Sequence, residues 1–94
     1  MLVHNIKGTS DRKPYGIYDS WLDFWEKQKD DISVFCSCKD CNEISEVGGH
    51  VQKHGNDTED YWYIVQLCKK CNNPHNIKPF EVSTKDLVRV TEDN

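Results

Sequence analysis

Cys36-Ser-Cys-Lys-Asp-Cys41 and Cys68-Lys-Lys-Cys71 are the stretches from which the fold of this chain can be inferred. They are separated by 26 intervening residues. They contain two Cys-x-x-Cys pairs, and two such pairs at this separation are typical of a four-cysteine zinc site. Each pair forms a turn that presents two thiolates to one ion, and four thiolates leave a tetrahedral ion no open position. The spacing therefore predicts a structural zinc ion (Zn²⁺) with four ligands, which are Cys38, Cys41, Cys68 and Cys71.

The identity of the first ligand is open, because both Cys36 and Cys38 precede Cys41. Side chains alternate along a strand, so two cysteines that are two residues apart can point in the same direction. Cys38 forms the tighter loop with Cys41 and is the favoured ligand. Cys36 forms a looser loop and is the alternative first ligand, and one of the two is left over.

The composition indicates that such a chain needs a metal ion. The chain has 94 residues, which is the size of one domain. It has no alanine, and Leu, Ile, Val and Phe together number only 21. A domain this small buries a small share of its surface and often needs a metal or disulfides. Zinc contributes about 10–16 kcal/mol of apparent folding free energy in small zinc peptides, which offsets a thin apolar core.

The composition also excludes several classes of protein. No apolar run approaches the roughly 20 residues of a membrane span, and residues 1–8 lack the apolar stretch of a signal peptide. We therefore expect a cytoplasmic protein, whose thiols stay reduced. The odd number of cysteines, five, fits poorly with a disulfide framework. The formal net charge of −4 argues against a protein that coats DNA without specificity.

The pattern along the chain predicts a single α+β domain over residues 1–94. Residues 1–19 are polar and rich in turn formers, which indicates a loop or tail. Ser20 followed by Asp23 approximates a capping box and predicts a tryptophan-rich helix over residues 20–29. Residues 32–78 form the predicted zinc-binding core, and residues 79–94 a C-terminal strand and tail. Apolar patterning predicts strands over 32–36, 46–51 and 61–67, and one or two short strands within 81–90.

The cysteine spacing has a context that resembles a known family. Cys38-Lys-Asp-Cys41 is followed by Gly49-His50-Val51, and a later strand runs into Cys68-Lys-Lys-Cys-Asn72. This order resembles the HNH-type ββα-metal nuclease module in its four-cysteine, treble-clef form, and the resemblance covers residues 34–78. It implies a small zinc-stabilised, HNH-like β-hairpin. The N-terminal tryptophan-rich helix is not part of that motif, and we expect it to pack on the hairpin. The chain is also similar to a group of small uncharacterised bacterial and phage proteins, which implies no mechanism.

The HNH resemblance implies roles for three further residues. His50 matches the general base that activates water, and Asn72 matches the last position of the catalytic metal site. The chain departs from the pattern at Gly49, where the family usually has a metal-binding Asp, and Mg²⁺ normally needs a carboxylate ligand. For the ligand of Mg²⁺ or another divalent ion that the chain lacks at Gly49, His75 can substitute, and the alternatives in the predicted hairpin turn are Asp57, Glu59 and Asp60. Endonuclease activity is therefore left open, and the alternative is that His50 hydrogen-bonds a cysteine or a carbonyl beside the zinc.

Two kinds of partner are compatible with the remaining residues. Basic side chains near the cysteine pairs can contact the phosphates of a nucleic acid, and the candidates are Arg12, Lys13, Lys53, Lys69, Lys70 and Lys78. The alternative is a non-enzymatic protein-interaction module, because aromatic residues are enriched in the cores of interfaces. Its docking patch would consist of Trp21, Trp25 and Trp62. The pair Gly48-Gly49 predicts a bulge or the close approach of another strand.

Overall fold

A computed structural model of the chain describes residues 1–6, 14, 16–55, 61–73 and 78–90. These residues form one α-helix and one antiparallel sheet of five short strands, which is a mixed α+β fold as the sequence predicts. The elements follow in the order β1 (Leu2–Asn5), α1 (Trp21–Lys29), β2 (Val47–Lys53), β3 (Tyr63–Leu67), β4 (Phe80–Glu81) and β5 (Val88–Arg89). A short 3₁₀ turn, Thr84–Asp86, lies between β4 and β5, and the spatial order of the strands is β4-β1-β2-β3-β5.

Helix α1 begins and ends at residues with clear local capping signals. The Asp23 amide donates a hydrogen bond to the side-chain oxygen of Ser20 at 3.0 Å, which satisfies one of the free amides at the helix start. At the other end Asp30 adopts a left-handed conformation with a φ of 52°, and the Asp31 amide donates to the Glu26 carbonyl at 3.1 Å. The predicted N-cap is therefore confirmed. In the described part of the chain, no helix is long and apolar enough to cross a membrane.

Strands β2 and β3 form the central hairpin, and their side chains alternate between the two faces of the sheet. Val51 lies opposite Tyr63, and His50 lies opposite Ile64. Val51 and Tyr63 belong to a buried cluster that includes cysteines. Ile64 belongs to a second buried cluster, to which α1 contributes Phe24. The side of the sheet that carries Val51 and Tyr63 is called the cysteine face, and the side that carries Ile64 is called the helix face.

Strand β1 is the main difference from the predicted layout, because the sequence predicts a loop or tail over residues 1–19. The strand lies between β2 and β4, where Val3 is fully buried and pairs with Lys53 on one side and Phe80 on the other. Two of its four residues are polar, and its partners lie far along the chain. No local pattern therefore marks it as a strand.

Gly48 is the point at which α1 crosses the sheet. A Cβ atom at Gly48 would lie 2.6 Å from the carbonyl carbon of Trp21 and 2.7 Å from the amide nitrogen of Leu22. Both neighbouring atoms belong to backbone, so they leave no space for a side chain. The sequence predicts a close approach by another strand, whereas the backbone that approaches Gly48 is that of helix α1.

Candidate metal centre

Four cysteine side chains converge on the cysteine face and are called the cysteine cluster: Cys36, Cys41, Cys68 and Cys71. Their sulfur atoms all lie within 4.8 Å of one another. The Sγ atom of Cys41 is 3.8 Å from that of Cys68 and 3.9 Å from that of Cys71. A tetrahedral ion with metal–sulfur bonds of about 2.3 Å has sulfur–sulfur edges of about 3.8 Å. The cluster can therefore hold a metal ion, in the closed arrangement of a structural site.

The cluster contains Cys36, the alternative first ligand, and does not contain Cys38, the ligand that the tighter loop favours. The Cys36 amide donates to the Glu43 carbonyl at 2.9 Å, so Cys36 lies in a two-stranded ribbon, and its side chain is buried. The backbone of Cys38 instead pairs with Val82, just after β4. Backbone pairing, and not the tightness of the loop, thus selects which cysteine enters the cluster. The Cys38 thiol still interacts with that of Cys71, and burial raises the pKa of Cys38.

Two hydrogen bonds hold the second cysteine turn, which follows directly from β3. The Asn72 amide donates to the Cys68 carbonyl at 3.0 Å. The side-chain amide of Asn5 donates to the Cys71 carbonyl at 3.0 Å and so joins the turn to β1. Sequence reasoning misses Asn5, because the strand that carries it has no clear signal of its own.

Burial changes the acidity of the thiols in the cluster. It raises the pKa of Cys36 to about 11, and it also raises the pKa of Cys71, where hydrogen bonds with neighbouring thiols add to the effect. Cys68 differs, because hydrogen bonds from the Cys71 amide and from neighbouring thiols outweigh burial and lower its pKa. Metal ions bind thiolates, so an ion that enters the cluster at neutral pH displaces protons from Cys36 and Cys71.

The two residues that the nuclease resemblance would bring together, His50 and Asn72, lie on opposite faces of the sheet. A Cβ atom at Gly49 would point to the cysteine face, where the Oδ1 atom of Asn72 would be 2.8 Å away. His50 is the next residue, so its side chain points to the helix face. There its ring centroid lies 4.7 Å from that of Trp21. The sheet therefore separates the predicted base from the predicted metal-site residue.

The surroundings of His50 are aromatic. The side chain is 7% exposed, Trp21 meets its ring edge-on, and Trp62 stacks on it with ring centroids 5.7 Å apart. A general base must lie within hydrogen-bond reach of the water that it activates, and these rings cover the imidazole. The sheet also keeps His50 away from the cysteine cluster. His50 thus packs among aromatic rings on the helix face, and this placement argues against the role of base and against a hydrogen bond to a zinc-binding cysteine.

Gly49 stands where the resemblance calls for a metal-binding Asp, and the packing explains why no carboxylate is present. A Cβ atom at Gly49 would lie 2.4 Å from the Cδ1 atom of Leu67. Leu67 is fully buried, so it has no free space into which it can move. An Asp side chain therefore does not fit at this position without a rearrangement of the core.

The predicted nucleic-acid residues have different surroundings. Lys69 lies on the second cysteine turn with its Nζ atom 3.9 Å from the Glu46 carboxylate, and the Nζ atom of Lys53 lies 5.1 Å from the centre of the Tyr63 ring. Both of these lysines thus have contacts within the protein, and Lys69 is exposed together with Lys70 and Lys78. The other residues of the predicted sites lie outside the described part of the chain: Arg12, Lys13, Asp57, Glu59, Asp60 and His75.

The three tryptophans do not form the predicted docking patch. Trp25 is 4% exposed, and its Nε1 atom donates to the Asp86 carbonyl at 2.7 Å. Trp21 and Trp62 are half-buried and pack on His50. These side chains cover the core on the helix face, so Trp25 at least is not available to a partner.

An apolar surface that the sequence reasoning misses lies beside the loop from Cys36 to Cys41, on the residues that flank it. Phe35 and Ile44 form an antiparallel bridge of the narrow type, in which the two side chains come closest. Phe35 is 61% exposed and Ile44 is 67% exposed. Because side chains alternate along the ribbon, Cys36 points to the cluster while Phe35 points to solvent. Phe35 and Ile44 are called the hairpin patch below.

The chain matches no protein-family model, no curated protein and no solved structure. The resemblance to HNH modules therefore stays an expectation that rests on the spacing of the cysteines and on the positions of His50 and Asn72.

Proposed function

We propose that this chain is a zinc-stabilised, non-catalytic module that binds another protein through the hairpin patch. The observation that carries the proposal is the exposure of Phe35 and Ile44, 61% and 67%, beside the buried Cys36. Large apolar side chains that are exposed next to each other are a feature of interaction sites. The separation of His50 from Asn72 supports a binding role over cleavage.

Zinc is the ion that the donor set of the cysteine cluster favours. Thiolate ligands in a tetrahedral arrangement are typical of structural zinc, and four of them leave no position for a substrate. The ion would contribute folding free energy and no chemistry. A reducing cytoplasm would keep the thiols available as ligands. In this proposal the likeness to treble-clef HNH modules concerns the zinc-binding part alone.

The zinc ion would also position the hairpin patch. Cys36 follows Phe35 directly, and Cys41 precedes Ile44 by three residues. One ion bound to both cysteines closes the loop between them, so it holds the two apolar side chains next to each other. Loss of the ion would release the loop, and the patch would lose its shape.

The charge around the patch indicates the chemistry of the partner. Residues 30–46 contain five acidic residues and one basic residue, a formal charge of −4, which equals that of the whole chain. Opposite charge around an apolar contact speeds association and selects partners. We therefore infer a partner segment that carries an apolar anchor flanked by Lys or Arg.

Peptide binding to the zinc-loaded protein tests this proposal. The probes are fluorescent peptides with a Leu or Phe anchor flanked by Lys, and matched peptides in which Glu replaces Lys. Polarisation titrations are expected to detect binding of the basic peptides alone. Phe35→Asp and Ile44→Asp are each expected to weaken binding at least tenfold.

Ile17→Asp is the matched control, because Ile17 is an exposed isoleucine that does not belong to the hairpin patch. This variant is expected to bind the peptides like the parent protein. Backbone amide NMR shifts on peptide addition should concentrate in residues 33–46. Equal binding of the acidic peptides, or retention of binding in both Phe35→Asp and Ile44→Asp, would contradict the proposal.

Nucleic-acid binding is the second candidate, and the exposed positions of Lys70 and Lys78 favour it. Lys70 lies on the second cysteine turn, so the metal ion would hold it in place against a phosphate. Binding would be strongest at low salt and would fall steeply as salt is added. We expect no cleavage of plasmid DNA with Mg²⁺ or Mn²⁺, because the sheet separates His50 from Asn72.

A salt titration with single- and double-stranded DNA and RNA tests this candidate. Substitution of Gln for Lys70 and Lys78 together should reduce both the affinity and the slope of its salt dependence. No detectable affinity at low salt would exclude nucleic acid as a partner, and cleavage that His50→Ala abolishes would contradict the non-catalytic role proposed above.

A further inference from the structure

Two histidines that are distant in the sequence meet beside the strand pair β1 and β2. His4 lies in β1, and His54 follows β2 directly. Their Nδ1 atoms are 3.2 Å apart, and their rings are nearly perpendicular, at 84°. The His54 amide donates to the Leu2 carbonyl at 2.8 Å, and His4 pairs with Gln52 in the sheet. The backbone therefore brings the two side chains together, and their Nδ1 atoms lie at hydrogen-bond distance from each other.

We propose that His4 and His54 form a second metal site, for a borderline divalent ion such as Zn²⁺ or Ni²⁺. Zinc–imidazole bonds measure about 2.0–2.1 Å, so two nitrogens 3.2 Å apart subtend an angle of roughly 100° at such an ion, close to a tetrahedral angle. Imidazole nitrogen suits zinc, copper and nickel, whereas Mg²⁺ and Ca²⁺ take oxygen ligands. The rings lie at the separation that these ions need, without a change in the backbone.

This site would differ from the cysteine cluster in its exposure and its exchange of ions. His54 is exposed and His4 is half-buried, so water or an external ligand completes the coordination. An ion there would bind weakly and reversibly, unlike one enclosed by four thiolates. It would also tie β1 to the end of β2, and so stabilise the strand that carries Asn5.

This site is tested on protein whose cysteine cluster already holds zinc. Isothermal titration with Ni²⁺ is expected to show one further ion per chain, and the melting temperature should rise on its addition, because an ion that binds only the folded state stabilises it. His4→Gln and His54→Gln should each weaken this binding at least tenfold. Lys85→Gln, a substitution at an exposed residue of the 3₁₀ turn outside β1 and β2, is the control and should leave this binding unchanged.

Paramagnetic Ni²⁺ also provides a test that needs no variant. In the parent protein it should broaden the NMR signals of His4 and His54 first, and those of the neighbouring residues of β1 and β2 next. The absence of a further Ni²⁺ ion, unchanged binding in both variants, or broadening centred elsewhere in the chain would each overturn the proposal.

Discussion

At the scale of single residues, Gly49 sets what this part of the sheet can do. A Cβ atom there would lie 2.4 Å from the Cδ1 atom of the buried Leu67. Gly49→Ala should therefore lower the free energy of unfolding by about 1–3 kcal/mol, the usual cost of an overpacked core. Urea denaturation of the zinc-loaded protein measures this difference.

Gly55 offers the matched control for Gly49. It has a positive φ of 85° and open space around it, so Gly55→Asn, which tolerates that conformation, should change the stability far less. Equal stability of Gly49→Ala and the parent protein would show that Leu67 can move aside. A carboxylate at position 49 would then be compatible with the fold.

The choice between Cys36 and Cys38 is also made at the scale of one side chain. The cysteine cluster contains Cys36, so Cys36→Ser should lose most of its zinc affinity. Cys38→Ser should keep about one zinc ion per chain. Zinc content by atomic emission after dialysis against a mild chelator separates the two variants. Zinc retained in Cys36→Ser and lost from Cys38→Ser would reverse the assignment.

At the scale of elements, local signals were enough for α1 and for the central hairpin. Ser20 marks the start of α1, and the apolar run that leads into Cys68 marks β3. Strand β1 could not be predicted, because its partners lie far along the chain. The same limit applies to the candidate site. Spacing identifies Cys41, Cys68 and Cys71, but the bridge of Phe35 to Ile44 decides that the fourth is Cys36.

The bond from Asn5 to the second cysteine turn makes β1 part of the support of the metal centre. Asn5→Ala removes the 3.0 Å hydrogen bond to the Cys71 carbonyl and should cost about 1–2 kcal/mol of stability. It should also speed the transfer of zinc to a competing chelator, because the turn loses its tie to the sheet. Stopped-flow transfer to a dye measures that rate.

Asn42→Ala is the control for this variant, since Asn42 is an exposed asparagine directly after Cys41. It should release zinc at the rate of the parent protein. If Asn5→Ala and Asn42→Ala release zinc equally fast, β1 has no part in holding the metal centre.

At the scale of the whole molecule, the sheet divides the protein into two small cores with different support. The helix face is closed by α1, whose Phe24 and Trp25 pack on Ile64. The cysteine face has no helix packed on it within the described residues, and its cluster contains the cysteine side chains. On the cysteine face, zinc would therefore have the role that α1 has on the helix face.

This division predicts what removal of the metal does. A strong chelator should unfold the chain, and acid should do the same, because protons compete with zinc for the thiolates. Burial raises the pKa of Cys36 to about 11, so in the metal-free fold this thiol holds its proton at neutral pH. Zinc affinity should therefore fall continuously as the pH falls, and the zinc-dependent stability should fall with it.

Zinc release and loss of fold should coincide in an acid titration. A colorimetric dye reports the released zinc, and the near-ultraviolet circular dichroism of the tryptophans reports the packing of α1 on the sheet. Cys38→Ser should show the same midpoint as the parent protein, since Cys38 is not in the cysteine cluster. A chain that keeps its tryptophan signal after its zinc has left would show that the helix face folds without the metal. In that case zinc would shape only the cysteine face and its hairpin patch.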